Sequence, residues 1–179
     1  INAMQGFGSM DVLCVDKTGT LTGDKITLEY YMDVLGNEST KVLDLAYLNS
    51  LYHTGVKNHL DSALLQYREM PGRERYVQEL AAQHPKLDEL PFDYARRFAS
   101  ILVRNGEDSL LIVKGSIEEV CRRCSCVEYK GQRHVISGGE RESVRAVVDE
   151  MLEDGMKVLA VAYRSLKEGT LSQEDEHDF

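Results

Sequence analysis

No apolar stretch of this chain approaches the roughly 18 residues that a membrane-spanning helix needs, and no signal-peptide pattern is visible. Positive charge is scarce as well. There are 21 Lys and Arg against 30 Asp and Glu, a net charge of −9, which argues against a nucleic-acid partner. Cysteine is sparse, with four in all. Cys14 lies in an apolar stretch, and Cys121, Cys124 and Cys126 form C-x-x-C-x-C. A zinc site normally takes four ligands, and the nearest histidine is His134. Ordinary reduced thiols are therefore the favoured reading and a metal site the lesser one. There are no repeats and no low-complexity segments. At 179 residues the chain is one large domain, or one domain with an attached piece, and long enough for a proper core.

What stands out is Asp16-Lys17-Thr18-Gly19-Thr20-Leu21-Thr22, directly after the apolar run Asp11–Val15, which reads as a strand. A carboxylate at a strand end, entering a Thr/Gly turn, is placed to act as a covalent nucleophile. Asp16 would attack a phosphoryl phosphorus in line. Lys17 would neutralise phosphate charge, while the Thr18 and Thr20 hydroxyls and nearby amides bind phosphoryl oxygens. Mg²⁺ takes oxygen ligands and keeps several waters, so Asp16 with a backbone carbonyl near Thr18 makes a partial metal site. Position 18 carries Thr and not a second Asp, which leaves no adjacent acid/base to hydrolyse an acyl phosphate quickly. The plain alternative is a strand-end Asp capping a turn.

The remaining chain reads as helices mixed with hairpins. Residues 26–32 alternate as a half-buried strand. Ser39 or Thr40 caps a helix to about His53, with Val42, Leu45, Ala46, Leu48 and Tyr52 inward. Further helices are expected at about 60–69 and 73–83. A strand at 87–90 precedes a hairpin of 98–104 and 109–114 across Asn105–Asp108. Ser116 caps a short helix to about Arg123. A weaker hairpin flanks Gly131. A helix follows over 140–153 with Val144, Val147, Val148, Met151 and Leu152 inward, then a strand over 157–163. The acidic tail 174–179 reads as solvated or disordered. Without a regular β-α-β rhythm, the class is α+β with a mostly antiparallel twisted sheet flanked by helices.

The heptapeptide from Asp16 resembles the phosphorylation motif of P-type ATPases, ion pumps that cycle through an aspartyl phosphate. Four later segments resemble that family's nucleotide-binding domain, in the family's order. Asp61-Ser62-Ala63-Leu64 is similar to its acidic-x-Ala-Leu helix start, which implies that Asp61 faces the adenine amino group. Alone, Asp61 would be a helix N-terminal acid. Phe92-Asp93-Tyr94 with Arg96 and Arg97 resembles its Phe-Asp-aromatic segment, which implies that Tyr94 stacks on adenine and Arg96 reaches phosphates. Phe98-Ala99 departs from the basic and Met residues common there. Lys114-Gly115-Ser116 resembles Lys-Gly-Ala, implying Lys114 in the adenine pocket and close ligand approach at Gly115. Gly155-Met156-Lys157 resembles a Gly-x-Arg strand, implying a polyphosphate contact from Lys157, without the Arg fork. Within the family, Leu48-Asn49-Ser50 and Thr54–Asn58 look most like the bacterial magnesium-transporting group.

The resemblance implies residues 1–24 as first strand and hinge of a phosphorylation domain, 25–170 as the nucleotide-binding domain, and 171–179 as a tail leading back. ATP and Mg²⁺ are the implied cofactors. The implied partners are the phosphorylation, actuator and transmembrane domains of the same pump, at the cytoplasmic face of the inner membrane. The Gly-Asp-Gly-x-Asn-Asp and Thr-Gly-Glu-Ser loops of the family are not in this sequence. The expectation is a soluble piece of an ion-transporting enzyme that binds nucleotide without turning it over. The alternatives are a phosphatase-like hydrolase using Asp16 and an interaction module that has lost ATP binding.

Overall fold

In the computed structural model, the described residues are 11, 12, 14, 15, 23, 25–55, 57–167 and 169–179. Asp16, Lys17 and Thr18, the expected catalytic and Mg²⁺ residues, lie outside them. Asp11, Val12, Cys14 and Val15 form no strand, and Val12 is exposed. A single strand with no neighbour has nowhere to place its backbone hydrogen bonds. The alternating residues 26–32 likewise make no ladder, with only Met32 bridging to Glu38.

Helices α1 (Thr40–Tyr52), α2 (His59–Leu65) and α3 (Arg73–Gln83) come first, with a 3₁₀ turn, Gln66–Glu69, continuing α2. Strands β1 (Lys86–Asp93), β2 (Phe98–Asn105) and β3 (Asp108–Gly115) follow. Then come α4 (Ile117–Arg123), the hairpin β4 (Cys126–Tyr129) and β5 (Gln132–Val135), α5 (Gly138–Glu153) and β6 (Ala160–Leu166). The main sheet is antiparallel, in the order β1-β2-β3-β6.

Strands β2 and β3 are apolar on both faces because both faces are covered. Ile101, Val103, Leu110 and Ile112 pack against Leu45 and Leu48 of α1. On the opposite face, Phe98, Leu102, Leu111 and Val113 pack against Val120 of α4 and Phe179. Helix α1 is buried along most of its length, Tyr47 included, because α2 and α3 close over its far side through Leu64, Tyr67 and Val77. The sheet thus has two interiors, and Lys114 and Ser100 each introduce a polar group into one of them.

Several expectations shift. Val42 is only half-buried, and Leu43 takes the inward position. Ser39 and Ser116 sit at helix N-caps, but neither side chain makes a capping bond. Asn58 with Asp61 and Ser137 with Glu140 make full capping boxes instead. Strand β6 begins at Ala160, so Lys157 precedes it. No residue of α5 is fully buried, and Leu152 is 53% exposed. Its apolar residues face an open groove, so periodicity located the helix without supplying a packed partner. The tail expected to be solvated is packed: Phe179 joins the core and Glu176 is 4% exposed.

Candidate functional site

Lys114 lies near the end of β3, on the face that α1 covers, and is 7% exposed. Its Nζ stands 2.5 Å from Asp61 Oδ1 and also donates to Ser50 Oγ. Ser50 donates in turn to Asp61 Oδ1 at 2.9 Å. Three elements therefore deliver one closed triad: α1 gives Ser50, α2 gives Asp61 and β3 gives Lys114. Asp61 also accepts from the Asn58 backbone at 3.3 Å, so the same carboxylate closes the α2 capping box. The helix-terminal and site readings of Asp61 describe one geometry.

Burial opposes charge on both partners. At Asp61 it is outweighed by the Lys114 ammonium and the hydrogen bonds of Lys114, Ser50 and Asn58, so the carboxyl lies below its usual range. At Lys114, burial outweighs the pull of Asp61 and draws the ammonium below the ordinary lysine value. The ion pair governs, because a neutral lysine would leave a buried carboxylate with too few donors.

Asn49, next to Ser50, is fully buried. Its Nδ2 donates to Ala99 O at 3.1 Å and to Ile112 O at 3.0 Å, pinning α1 onto the backbones of β2 and β3. Sequence reasoning did not assign Asn49 or Ser50 a role. The available signal was two adjacent polar residues inside an otherwise apolar helix face.

The loop between β1 and β2 presents Tyr94, which is 90% exposed, with Phe92 edge-on to its ring at 5.4 Å. Asp93 builds this loop: its carbonyl accepts from Arg97 N at 2.6 Å, and its carboxylate accepts from Ala95 N at 2.7 Å. Arg97 closes it in the left-handed region, φ 58°. The loop is stitched to the end of β3, because Phe98 pairs with Gly115 and Ser116 N donates to Arg97 O at 2.9 Å. Gly115 has a structural reason to be glycine. A Cβ there would overlap Arg97 O and the Cα and Cβ of Phe98.

Arg96 is committed elsewhere. Its Nη1 binds Glu176 Oε1 at 2.5 Å and Oε2 at 2.6 Å, and its Nη2 donates to Pro91 O at 2.6 Å. Lys157 is exposed and lies just before Ala160, which pairs with Gly115. An open groove of about 1720 Å³ takes in His59, Leu60, Lys114, Ser116 and Lys157, together with the apolar side of α5. The fold thus gathers Asp61, Lys114 and Gly115 with the root of the Tyr94 loop at one end of the sheet. It leaves the Arg96 side chain turned to the tail.

Cys121, Cys124 and Cys126 line the same open groove. Among the described residues, no group of three or more His, Cys, Asp and Glu is arranged to hold a metal ion. Burial raises the Cys121 thiol and pushes Cys124 up to about 12, so both stay protonated.

The family profile described as "P-type ATPase, cytoplasmic domain N" matches residues 53–179, which span α2, the whole sheet and the tail. The chain belongs to the P-type ATPase family. It is 41% identical over 181 residues to the "Magnesium-transporting ATPase, P-type 1" of Escherichia coli (strain K12), covering 99% of this chain and 20% of that protein. A Salmonella typhimurium (strain LT2) protein of the same name is 41% identical over 182 residues, covering 98% of this chain and 20% of the relative. The "Calcium-transporting ATPase 1" of Bacillus cereus is 24% identical over 179 residues, with 90% and 20% covered. The chain therefore spans about a fifth of the length of these P-type ATPases. Its α+β fold, an antiparallel sheet flanked by helices, is the cytoplasmic domain that the resemblance implied. Among the described residues, no helix is long and apolar enough to cross a membrane.

Proposed function

We propose that this domain binds ATP through its adenine end and, in the intact protein, presents the γ-phosphate to Asp16. The observation that carries this reading is the Lys114–Asp61–Ser50 triad, buried beside an open groove and tied through Gly115 to a loop with one uncovered aromatic. A buried lysine on an otherwise apolar strand is costly for stability alone. Tyr94, left 90% exposed on the loop whose root pairs with Gly115, offers a stacking face.

The residues fit the ligand. Asp61 is an acceptor and Lys114 a donor for base edges, and Tyr94 stacks on the base. Lys157 and Arg97 are exposed cations that can meet phosphate, Arg97 from a loose 3.8 Å pairing with Glu118. Gly115 serves the site by letting β3 lie against the Tyr94 loop. Asp16 and Thr18, with Lys17 beside them, would hold Mg²⁺, which supplies charge neutralisation during phosphoryl transfer. With stacking and a few polar contacts, the expected Kd is on the order of 0.1 to 1 mM, about 4 to 5.5 kcal/mol.

The parent protein, on this reading, is a magnesium-transporting pump at the cytoplasmic face of the inner membrane. The group rests on identity to the relatives of that name. Residues 1–24 and 171–179 connect this domain to the phosphorylation domain, and hinges near Thr22 and the tail bring nucleotide to Asp16. The chain by itself binds nucleotide and does not turn it over. Equilibrium dialysis with labelled ATP tests the binding claim. Competition by AMP and none by inorganic phosphate supports a base-reading site. Equal competition by phosphate overturns it.

A further inference from the structure

On the face of the sheet opposite the triad, Glu176 enters from the tail and is 4% exposed. Its carboxylate takes both Arg96 contacts, at 2.5 and 2.6 Å, and accepts from Ser100 Oγ. The Arg96 side chain is 14% exposed, and its guanidinium lies 5.3 Å from the centre of the buried Phe98 ring. Arg96 Nη2 reaches Pro91 O, at the far root of the Tyr94 loop. One guanidinium therefore spans from the tail to the strand that launches the loop.

The tail is held at further points. Arg164 Nη1 donates to His177 O at 2.8 Å. Phe179 N donates to Arg123 O at 3.2 Å, and the Phe179 main-chain oxygen accepts from Ser125 N and Cys126 N at 2.8 and 3.0 Å. Backbone strain falls at both ends of the latch, with Arg97 at φ 58° and Asp178 at φ 53°. Non-glycine residues in this region persist only where their surroundings hold them.

We infer that Arg96 and Glu176 are positioning residues: the pair latches the tail beneath the Tyr94 loop and sets the loop's geometry for the base. This rests on the nucleotide reading above and departs from the sequence expectation for Arg96, which acts through Tyr94 and not on phosphate. Glu176 offers both oxygens to one Nη1 of a largely buried guanidinium, so removing its charge leaves Arg96 with Pro91 O and, at 3.6 Å, Asp93, and loosens the loop with it. Coupling of this kind is reciprocal. If the latch raises nucleotide affinity, nucleotide tightens the tail by the same factor.

The experiment compares wild type with Glu176→Gln, Arg96→Gln and Ser100→Ala, in two arms. Amide hydrogen exchange without ligand is expected to rise at least about tenfold at Ala95, Arg96 and Arg97 in Glu176→Gln, with β2 and β3 amides unchanged. Titrations with adenosine, AMP and ATP are expected to weaken by one common factor, roughly threefold to tenfold, in both Glu176→Gln and Arg96→Gln. Ser100→Ala keeps the ion pair and gives a smaller rise at the same amides, which decides the matter if the charge variants unfold. Unchanged loop exchange in Glu176→Gln overturns the latch. So does a loss in Arg96→Gln confined to ATP, which makes Arg96 a phosphate ligand. If wild type binds no nucleotide, the nucleotide reading fails, while the exchange arm still decides whether Glu176 positions the loop.

Discussion

Lys114 Nζ and Asp61 Oδ1 meet at 2.5 Å inside the fold, with their side chains 8% and 6% exposed. Fifty-three positions separate them along the chain. Removing one member of such a pair leaves the other charged and buried. Lys114→Met is therefore expected to cost about 3 to 5 kcal/mol of stability in urea unfolding, far more than a surface lysine. Acid should also act here. Asp61 in the folded state holds its proton less tightly than in the unfolded chain, so the unfolded state binds more protons between the two values. Its contribution is complete above the unfolded carboxylate value of about 3.9 and is lost as pH falls through the lower folded value. Urea midpoints followed downward from neutral pH should drop most steeply below about pH 4, and the drop should be shallower in Asp61→Asn. Glu89 and Glu128, also held low by their partners despite burial, share that limb and keep it from vanishing.

Gly115→Ala tests the seam between β3 and the Tyr94 loop. The added methyl overlaps backbone atoms that cannot swing aside. A loss of about 1 to 3 kcal/mol or more is expected, with amide shifts concentrated at Arg97, Phe98 and Ser116. A neutral substitution would show that the two segments can separate freely.

Tyr94 separates function from stability. Being 90% exposed, it should be replaceable by Ala within about 0.5 kcal/mol of wild-type stability. Nucleotide affinity should nevertheless fall by about 1 to 2 kcal/mol, roughly fivefold to thirtyfold, with Tyr94→Phe close to wild type. A titration with AMP reads this directly. Equal affinity for Tyr94→Ala and wild type would remove the stacking role.

The thiols give an independent check on the C-x-x-C-x-C segment. Cys14 is exposed, whereas the Cys124 thiol is pushed up to about 12 by burial. Iodoacetamide at about pH 8 should alkylate Cys14 first and Cys124 last, followed by mass spectrometry. Early modification of Cys124 would mean a reactive or metal-ready thiolate.

The sequence made the main sheet legible because β2 and β3 are nearly continuous apolar runs around Gly106, which lies in the left-handed region at φ 64°. It also gave α3 at its observed bounds. Residues 26–32 read as a strand by alternation, yet a ladder needs a neighbour as well as a pattern. The valines of α5 read as core for the same reason, although burial depends on what stands opposite. At the candidate site, Asp61, Tyr94, Lys114 and Gly115 could be picked out by motif. Ser50 and Glu176 could not. Each is an ordinary polar residue locally, and its role arises only when a strand from elsewhere in the chain arrives beside it, Lys114 of β3 for Ser50 and Ser100 of β2 for Glu176.

The central claim is that one end of this sheet reads adenine. An amide-resolved NMR titration of the chain with ATP, ADP and AMP tests it most directly. The account predicts saturable shifts at Asp61, at the Tyr94–Arg97 loop and at Lys114, with similar affinities for all three nucleotides. The absence of saturable shifts at those residues up to several times a Kd of about 1 mM would contradict it.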